Sequence, residues 1–360
     1  MGLKWLLAFI PVGIILDWQN ANPILVFAAS ALAIIPLASL VGDATEALAR
    51  YLGPTMGGFL NATLGNAPEI IIGFFALKQG LVEMVKASIT GSIIGNLLFG
   101  LGVSFLAANV KGHRKLHYDI ESARTHGGLL MLAMFGLIIP AVFNFSTTSE
   151  REISLEISIV LFVIYLGSVL LTFFPEKPKV EADDTLEIAV KPETPAEEES
   201  GWSRNKALAI LISVTVTLAI MSEIMTDAVD PAAKTLGLTP LFVGVFLLAM
   251  VGNTAELFNA VRFARNGHLD LSVGITLGSS SQMALMVAPT LVFLGYYLKQ
   301  DMNLLFSQFE LIAVVMTVVA IMNMLQVGRL KPKAGAVLIA LYFMLGFGFF
   351  YAPATVTGGG

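Results

Sequence analysis

About eleven stretches of roughly twenty mostly apolar residues follow one another along this chain, more than the interior of a soluble domain can hide. They centre on residues 3–18, 23–49, 54–77, 81–108, 126–144, 154–174, 206–229, 240–262, 268–298, 306–326 and 334–352. Composition agrees: 56% of residues are hydrophobic, 13% are charged and the mean hydropathy is +0.79. The chain reads as an all-α polytopic membrane protein with about 11 transmembrane helices and the lipid bilayer as its solvent. That excludes a soluble enzyme and a disordered protein. A net charge of −5 without a basic helix excludes a nucleic-acid partner. With no Cys there is no disulfide, thiolate metal site or Cys nucleophile, and only four His argue against zinc.

Lys4 precedes a short apolar run, as in a signal peptide, but no small-residue cleavage site follows and Asp17-Trp18 reads as an interfacial end. Residues 1–20 are therefore expected to be a retained N-terminal helix. With the amino terminus in the cytoplasm, the inner loops hold 16 Lys and Arg and the outer loops 5. This bias sets the amino terminus inside and, for eleven spans, the carboxyl terminus outside a plasma membrane. Residues 175–205 break the pattern with four prolines and the run Glu197-Glu198-Glu199. They read as an acidic cytoplasmic linker, with a short helix near Asp183–Val190.

The linker separates two copies of one pattern. Gly65-Asn66-Ala67-Pro68-Glu69 and Gly252-Asn253-Thr254-Ala255-Glu256 share G-N-x-x-E at an offset of 187 residues. The same offset relates Gly57 to Gly244, Asp43 to Asp230 and Gly91-Ser92 to Gly278-Ser279. The copies are residues 21–174 and 206–360. Each holds five spans, an odd number, so the second enters the membrane from the opposite side: two inverted five-helix repeats plus an N-terminal helix. Secondary transporters use this design.

A carboxylate at the centre of a span costs about 2.5–3.5 kcal/mol on insertion scales, so a matched pair needs a reason. Each Glu stands three residues after an Asn, which puts both side chains on one helical face. Pro68 has no N–H for the Leu64 carbonyl, and Gly65 and Gly252 permit a local break. Freed carbonyls, amides and carboxylates make an oxygen-rich site suited to a hard cation such as Ca²⁺. The alternative for either Glu alone is a buried, hydrogen-bonded structural carboxylate. In the following spans Ser88, Ser92 and Asn96 recur at i, i+4, i+8, and Ser272, Thr276, Ser279 and Met283 form a similar stripe with Gln282 beside it. Small hydroxyl residues also serve helix packing. Gln282 pairs by offset with Gly95 and Asn96 with Met283, so this layer is not symmetric.

Acidic residues also stand near the ends of the second and seventh spans. Asp43 and Glu46 lie toward the inner side, and Glu223, Asp227 and Asp230 toward the outer side. They are either interfacial helix-end charges or a cation funnel at each mouth. A serine nucleophile at Gly278-Ser279-Ser280 lacks a His in a neighbouring span centre, and no His-Glu-x-x-His exists, so an intramembrane enzyme is disfavoured. A cation channel fits paired carboxylates in an inverted repeat less well than alternating access does.

These residues resemble the α-repeats of the cation/Ca²⁺ exchanger superfamily and, within it, the Ca²⁺/H⁺ antiporter (CAX) family. The resemblance rests on residues 57–69, on Gly252–Glu256, on Gly91-Ser92-Ile93-Ile94-Gly95-Asn96-Leu97-Leu98 and on Gly278-Ser279-Ser280-Ser281-Gln282. It covers nearly the whole chain, and the lack of a long amino-terminal arm points to a prokaryotic, even archaeal, member. It implies a secondary antiporter with Ca²⁺ and H⁺ as partners, Mn²⁺ as a second acceptable ion, no catalytic cofactor and no enzymatic reaction. Glu69 and Glu256 would bind Ca²⁺ and protons in competition, supported by Asn66, Asn253, Ser92 and Gln282. Asp43, Glu46, Glu223, Asp227, Asp230, Asn96 and Ser279 would line the access path. A Na⁺/Ca²⁺ exchanger of the same superfamily is the alternative, and a homo-oligomer is compatible with either. Those exchangers supply polar or acidic side chains in both spans after the Glu motifs, whereas Met283 stands opposite Asn96 here.

Overall fold

Hydrocarbon offers a peptide group no water to bond with, so each apolar stretch closes its hydrogen bonds within itself as a helix. The computed structural model describes residues 4–110, 116–143, 150–171, 201–327, 329–330 and 333–352. Most of the acidic linker, including the expected helix near Asp183–Val190, lies outside the described residues.

A 3₁₀ turn at Lys4–Ala8 leads into α1 (Phe9–Trp18), followed by α2 (Pro23–Leu64), α3 (Ala67–Lys78) and α4 (Val82–Ile94). A π-helical turn, Gly95–Gly100, joins α4 to α5 (Leu101–Val110). Then come α6 (Ile120–Phe143), α7 (Glu150–Leu171) and α8 (Arg204–Leu236). The short α9 (Pro240–Phe242), a π turn at Val243–Leu248 and α10 (Ala249–Gly252) precede α11 (Thr254–Arg265). Helix α12 (Leu269–Gln282), a π turn at Met283–Val287 and α13 (Ala288–Leu298) form one long element, followed by α14 (Gln308–Leu325) and α15 (Lys333–Tyr351). Two short strands, β1 (Leu116–His117) and β2 (Arg329–Leu330), pair antiparallel and tie the loop after α5 to the loop after α14.

Among the described residues eight helices are long and apolar enough to cross a membrane, or nine if the bent pair Pro240–Gly252 and Thr254–Arg265 is one span. The difference from eleven has a physical cause. The first stretch divides between the 3₁₀ turn and the ten-residue α1. The third begins at Gly53, whose φ of 77° ends the straight run of α2, and is cut again at Asn66. The eighth bends by 60°. No unbroken helix of spanning length remains in these three stretches.

Two hydrophobic clusters organise the interior. One is built largely from α4–α7 and α12–α15, around residues such as Ile93, Leu97, Phe105, Leu130, Leu285 and Leu291. The other joins α2 to α8 through Ile34, Leu37, Val41, Leu218, Met221 and Met225, with Val243 and Leu248 from the π turn. Helices α2 and α8 run along each other, with α1 against both. Large apolar side chains such as Phe135, Val163, Met316 and Phe347 remain exposed on α6, α7, α14 and α15, a surface that lipid covers and water would not.

Candidate cation site

The site begins where the two Glu-bearing helices break. Helix α2 stops at Leu64, Asn66 adopts φ −96°, ψ 14°, and α3 restarts at Ala67 with Pro68 in its first turn. Pro favours a helix start because that position needs no N–H donor. In the second copy α10 ends at Gly252, Asn253 adopts φ −81°, ψ 5°, and α11 restarts at Thr254. Glu69 and Glu256 thus stand in the first turns of α3 and α11, where the N-terminal helix dipole favours negative charge.

The breaks bring the copies together. A Cβ built on Gly252 would lie 3.3 Å from Glu69 Cγ, so the Glu69 side chain rests directly on the second copy's break. The two carboxylates are within electrostatic reach of each other. Glu69 is buried and neither carboxylate oxygen has a hydrogen-bond partner. Glu256 is half-buried, with Oε2 unpartnered. The buried Oδ1 atoms of Asn253 and Asn96 are unpartnered too. All of these are acceptor oxygens with nothing to accept from, the arrangement a hard cation or a proton would relieve. Among the described residues no three His, Asp or Glu side chains gather. Ligands beyond the two carboxylates must therefore be amides, hydroxyls, backbone carbonyls or water.

Hydrogen bonds across the copies fix the surroundings. Asn66 Nδ2 donates to Gln282 Oε1 at 2.6 Å, and Asn96 Nδ2 donates to Ser279 Oγ at 2.9 Å. Ser92 lines a cavity with Glu69, Ser88, Gly252 and Met283. Asn96 and Ser279 are buried beside this centre rather than in an open channel. Helix α4 reaches it because small residues let backbones touch: a Cβ on Gly91 would collide with the Val245 backbone, and one on Gly244 with the Met84 carbonyl and Ala87.

The other acidic residues lie farther out. On α8, Glu223 Oε1 pairs with Lys78 Nζ at 2.7 Å, and Asp227 Oδ1 accepts from Gln79 Nε2. Asp230 pairs with Lys234 at 2.6 Å one turn along. On α2, Glu46 pairs with Arg50 at 2.7 Å, and exposed Asp43 is within electrostatic reach of Lys4 and Arg262. Lys78 and Gln79 as partners of α8, and the Gly91–Val245 and Gly244–Met84 contacts, are not visible in the sequence pattern. They join segments about 145 to 160 residues apart, which no local spacing reports.

A family profile described as sodium/calcium exchanger protein matches residues 22–174 and 206–351. The chain belongs to this family. Its two matched segments flank the acidic stretch, so the exchanger profile covers both copies of the G-N-x-x-E motif. A Ca²⁺/H⁺ antiporter of Aphanothece halophytica is 38% identical over 97% of this chain and 96% of its own length. The Ca²⁺/H⁺ antiporter ChaA of Bacillus subtilis is 35% identical over 94% of this exchanger and 95% of its own. The solved structure of native YfkE superposes with a TM-score of 0.83 at 32% identity, covering 97% of this chain and 100% of that one. An H⁺/Ca²⁺ exchanger CAX structure shares the fold at a TM-score of 0.71 and 17% identity.

Proposed function

We propose that this exchanger is a Ca²⁺/H⁺ antiporter in which Glu69 and Glu256 carry both ions in turn. The observation that carries this reading is the approach of two carboxylates, one from each copy, at paired helix breaks, with both oxygens of Glu69 and Oε2 of Glu256 unpartnered. Similarity to curated Ca²⁺/H⁺ antiporters over nearly the whole chain supports the choice of ions. Ca²⁺ binds the ionised pair with help from Asn253, Asn66, Ser92 and Gln282; Mn²⁺, which accepts the same oxygens, is a competing ion. When Ca²⁺ leaves, protons neutralise the pair, so no bare charge crosses the apolar barrier. Because Ca²⁺ and protons compete for the same oxygens, Ca²⁺ affinity rises with pH while the pair is being deprotonated and is lost as pH falls.

The two hydrophobic clusters support alternating access: α2 and α8 pack mainly in one core, which also takes in Ile72 and Met84, and shift against the body that holds α12. The arrangement reads as inward-facing within eleven spans and two inverted repeats, with the amino terminus cytoplasmic. Outer-half residues Val243, Val245 and Leu248 are buried against α4, and α8 is tied to α3 by Lys78–Glu223. Their counterparts by offset in the inner half of the third span, including Met56 and Gly58, are exposed.

The test is calcium uptake into proteoliposomes under an imposed pH gradient and, separately, an imposed Na⁺ gradient. Glu69→Gln and Glu256→Gln should insert normally and lose pH-driven uptake by at least about a hundredfold, a loss of ~2.7 kcal/mol in transport competence. Either variant transporting like the parent removes that carboxylate from the mechanism. Uptake driven by Na⁺ at uniform pH but not by protons would establish the sodium-exchanger alternative.

A further inference from the structure

Asn96 Oδ1, Ser104 Oγ and Ser272 Oγ are buried, without a hydrogen-bond partner, and carried by elements that pack together: the first π turn with α5, and α12. These elements run antiparallel. Asn96 gives its amide hydrogen to Ser279, and a Cβ on Gly100 would lie 3.4 Å from Thr276 Cγ2. The next rung of that ladder holds Ser104 on α5 and Ser272 on α12. Along α12, positions 272, 276, 279 and 283 recur at helical spacing. The stripe continues from half-buried His268, just before the helix, to Met283, which lines the cavity beside Glu69.

Helix α11 covers this seam. The same Cβ on Gly100 would lie 2.7 Å from Leu257 Cδ2, and Ala260 and Ala264 on that face of α11 are fully buried. Its exposed residues, Phe258, Asn259 and Arg262, occupy the opposite face. The seam thus approaches the carboxylates behind α11, away from the exposed mouth.

A Ser or Thr inside an apolar helix ordinarily returns its hydrogen to a carbonyl one turn back. Thr276, Ser280 and Ser281 do so. Ser104 and Ser272 do not. An unbonded buried hydroxyl costs about 1–3 kcal/mol. Packing of small residues explains their size but not two unbonded hydroxyls in one seam. Water bonded to both relieves that cost. A hydroxyl bonded to water on two sides can accept one proton and pass on its own.

We propose that the α5–α12 seam is a proton path: water held by Ser272, Ser104 and Asn96 carries protons between the cytoplasmic side and the Glu69–Glu256 pair, while Ca²⁺ uses the exposed face of α11. Each hop forms one O–H bond and breaks another, so a proton taken from the inner solution ends on a carboxylate and every hydroxyl is restored. This rests on the Ca²⁺/H⁺ antiporter reading with a cytoplasmic amino terminus.

The full chain reconstituted in proteoliposomes tests it. Ser104→Val and Ser272→Val replace the hydroxyl with a methyl; Ser104→Thr and Ser272→Thr have the same shape and keep the hydroxyl. Exchange of radiolabelled for unlabelled calcium at equal pH needs no proton transfer, whereas uptake under a pH gradient does. Each Val variant should lose proton-driven uptake at least about tenfold. Its calcium–calcium exchange, and its calcium binding in detergent, should match the parent. Each Thr variant should transport like the parent. The two positions are separate tests, so one Val variant that folds suffices. If neither folds, Ser104→Ala combined with Ser272→Ala, which only removes atoms, takes their place with the same expectation. Parental proton-driven uptake without the hydroxyls overturns the proposal. So does an equal loss in both assays, which would leave the serines as packing residues only. A parent that exchanges calcium for calcium but takes up none under a pH gradient overturns the antiporter reading instead.

Discussion

Asn66 and Asn253 hold matching places in the two copies but bond differently. Asn66 gives its amide to Gln282, while the position matching Gln282 in the first copy is Gly95, which has no side chain to offer Asn253. A Cβ on Gly95 would meet nothing within 4 Å, and Asn253 Oδ1 stays unpartnered. The amide nitrogen of the first asparagine is thus tied to Gln282, and the second leaves its Oδ1 without a partner. A double-mutant cycle separates the two roles: Asn66→Ala and Gln282→Ala should be non-additive in thermal stability by roughly 1 kcal/mol. Asn253→Ala should instead weaken Ca²⁺ binding and add independently; strict additivity of Asn66 with Gln282 would mean that their hydrogen bond contributes nothing. The offset in the sequence is enough to match the glutamates and asparagines, because each motif is local. The hydrogen-bond partners are hidden in it, because Asn66 meets Gln282 across 216 residues and the two copies differ at that layer.

Helices in this protein are interrupted at Gly53, Asn66 and Asn253, within otherwise apolar stretches. Hydropathy reports the apolar stretches but not their breaks, since Gly53, Asn66 and Asn253 change the backbone without changing the mean polarity. The π turns are equally silent, because one extra residue per turn leaves composition untouched. Eleven apolar stretches therefore correspond, among the described residues, to eight or nine helices of spanning length. The end of α3 is joined to α8 by Lys78–Glu223 and Gln79–Asp227, and the offset counterparts of the two acids are Pro36 and Leu40, so this pair of acids is not repeated in the first copy. An exposed ion pair is worth about 0–1 kcal/mol, enough to bias two states of similar energy but not to lock one. Replacing both ties, Lys78→Met with Gln79→Leu, should favour outer opening. A cysteine placed at Ser222, which is fully buried on α8 in a chain with no native Cys, reports it. Its reaction with an impermeant thiol reagent added outside should quicken by up to about tenfold. An unchanged rate would show that these ties do not hold the outer side shut.

At the scale of the whole molecule, neither hydrophobic cluster belongs to one copy. Helix α2 of the first copy shares its core with α8 of the second, and α4–α7 share theirs with α12–α15. A half made alone would leave α2 or α8 without its partner and half the larger cluster facing lipid. Expressed singly, residues 1–190 or 191–360 should be degraded; expressed together, they should assemble and recover calcium uptake, since the cut falls in the linker. A half that accumulates and remains monodisperse by itself would contradict the shared cores. Such interweaving also sets what a substitution has to answer to. Asn66 stands against Gln282, Asn96 against Ser279 and Gly91 against Val245, each pair with one member in either half. A change on one side of such a contact is met in the other half, so neither half can be altered there on its own terms.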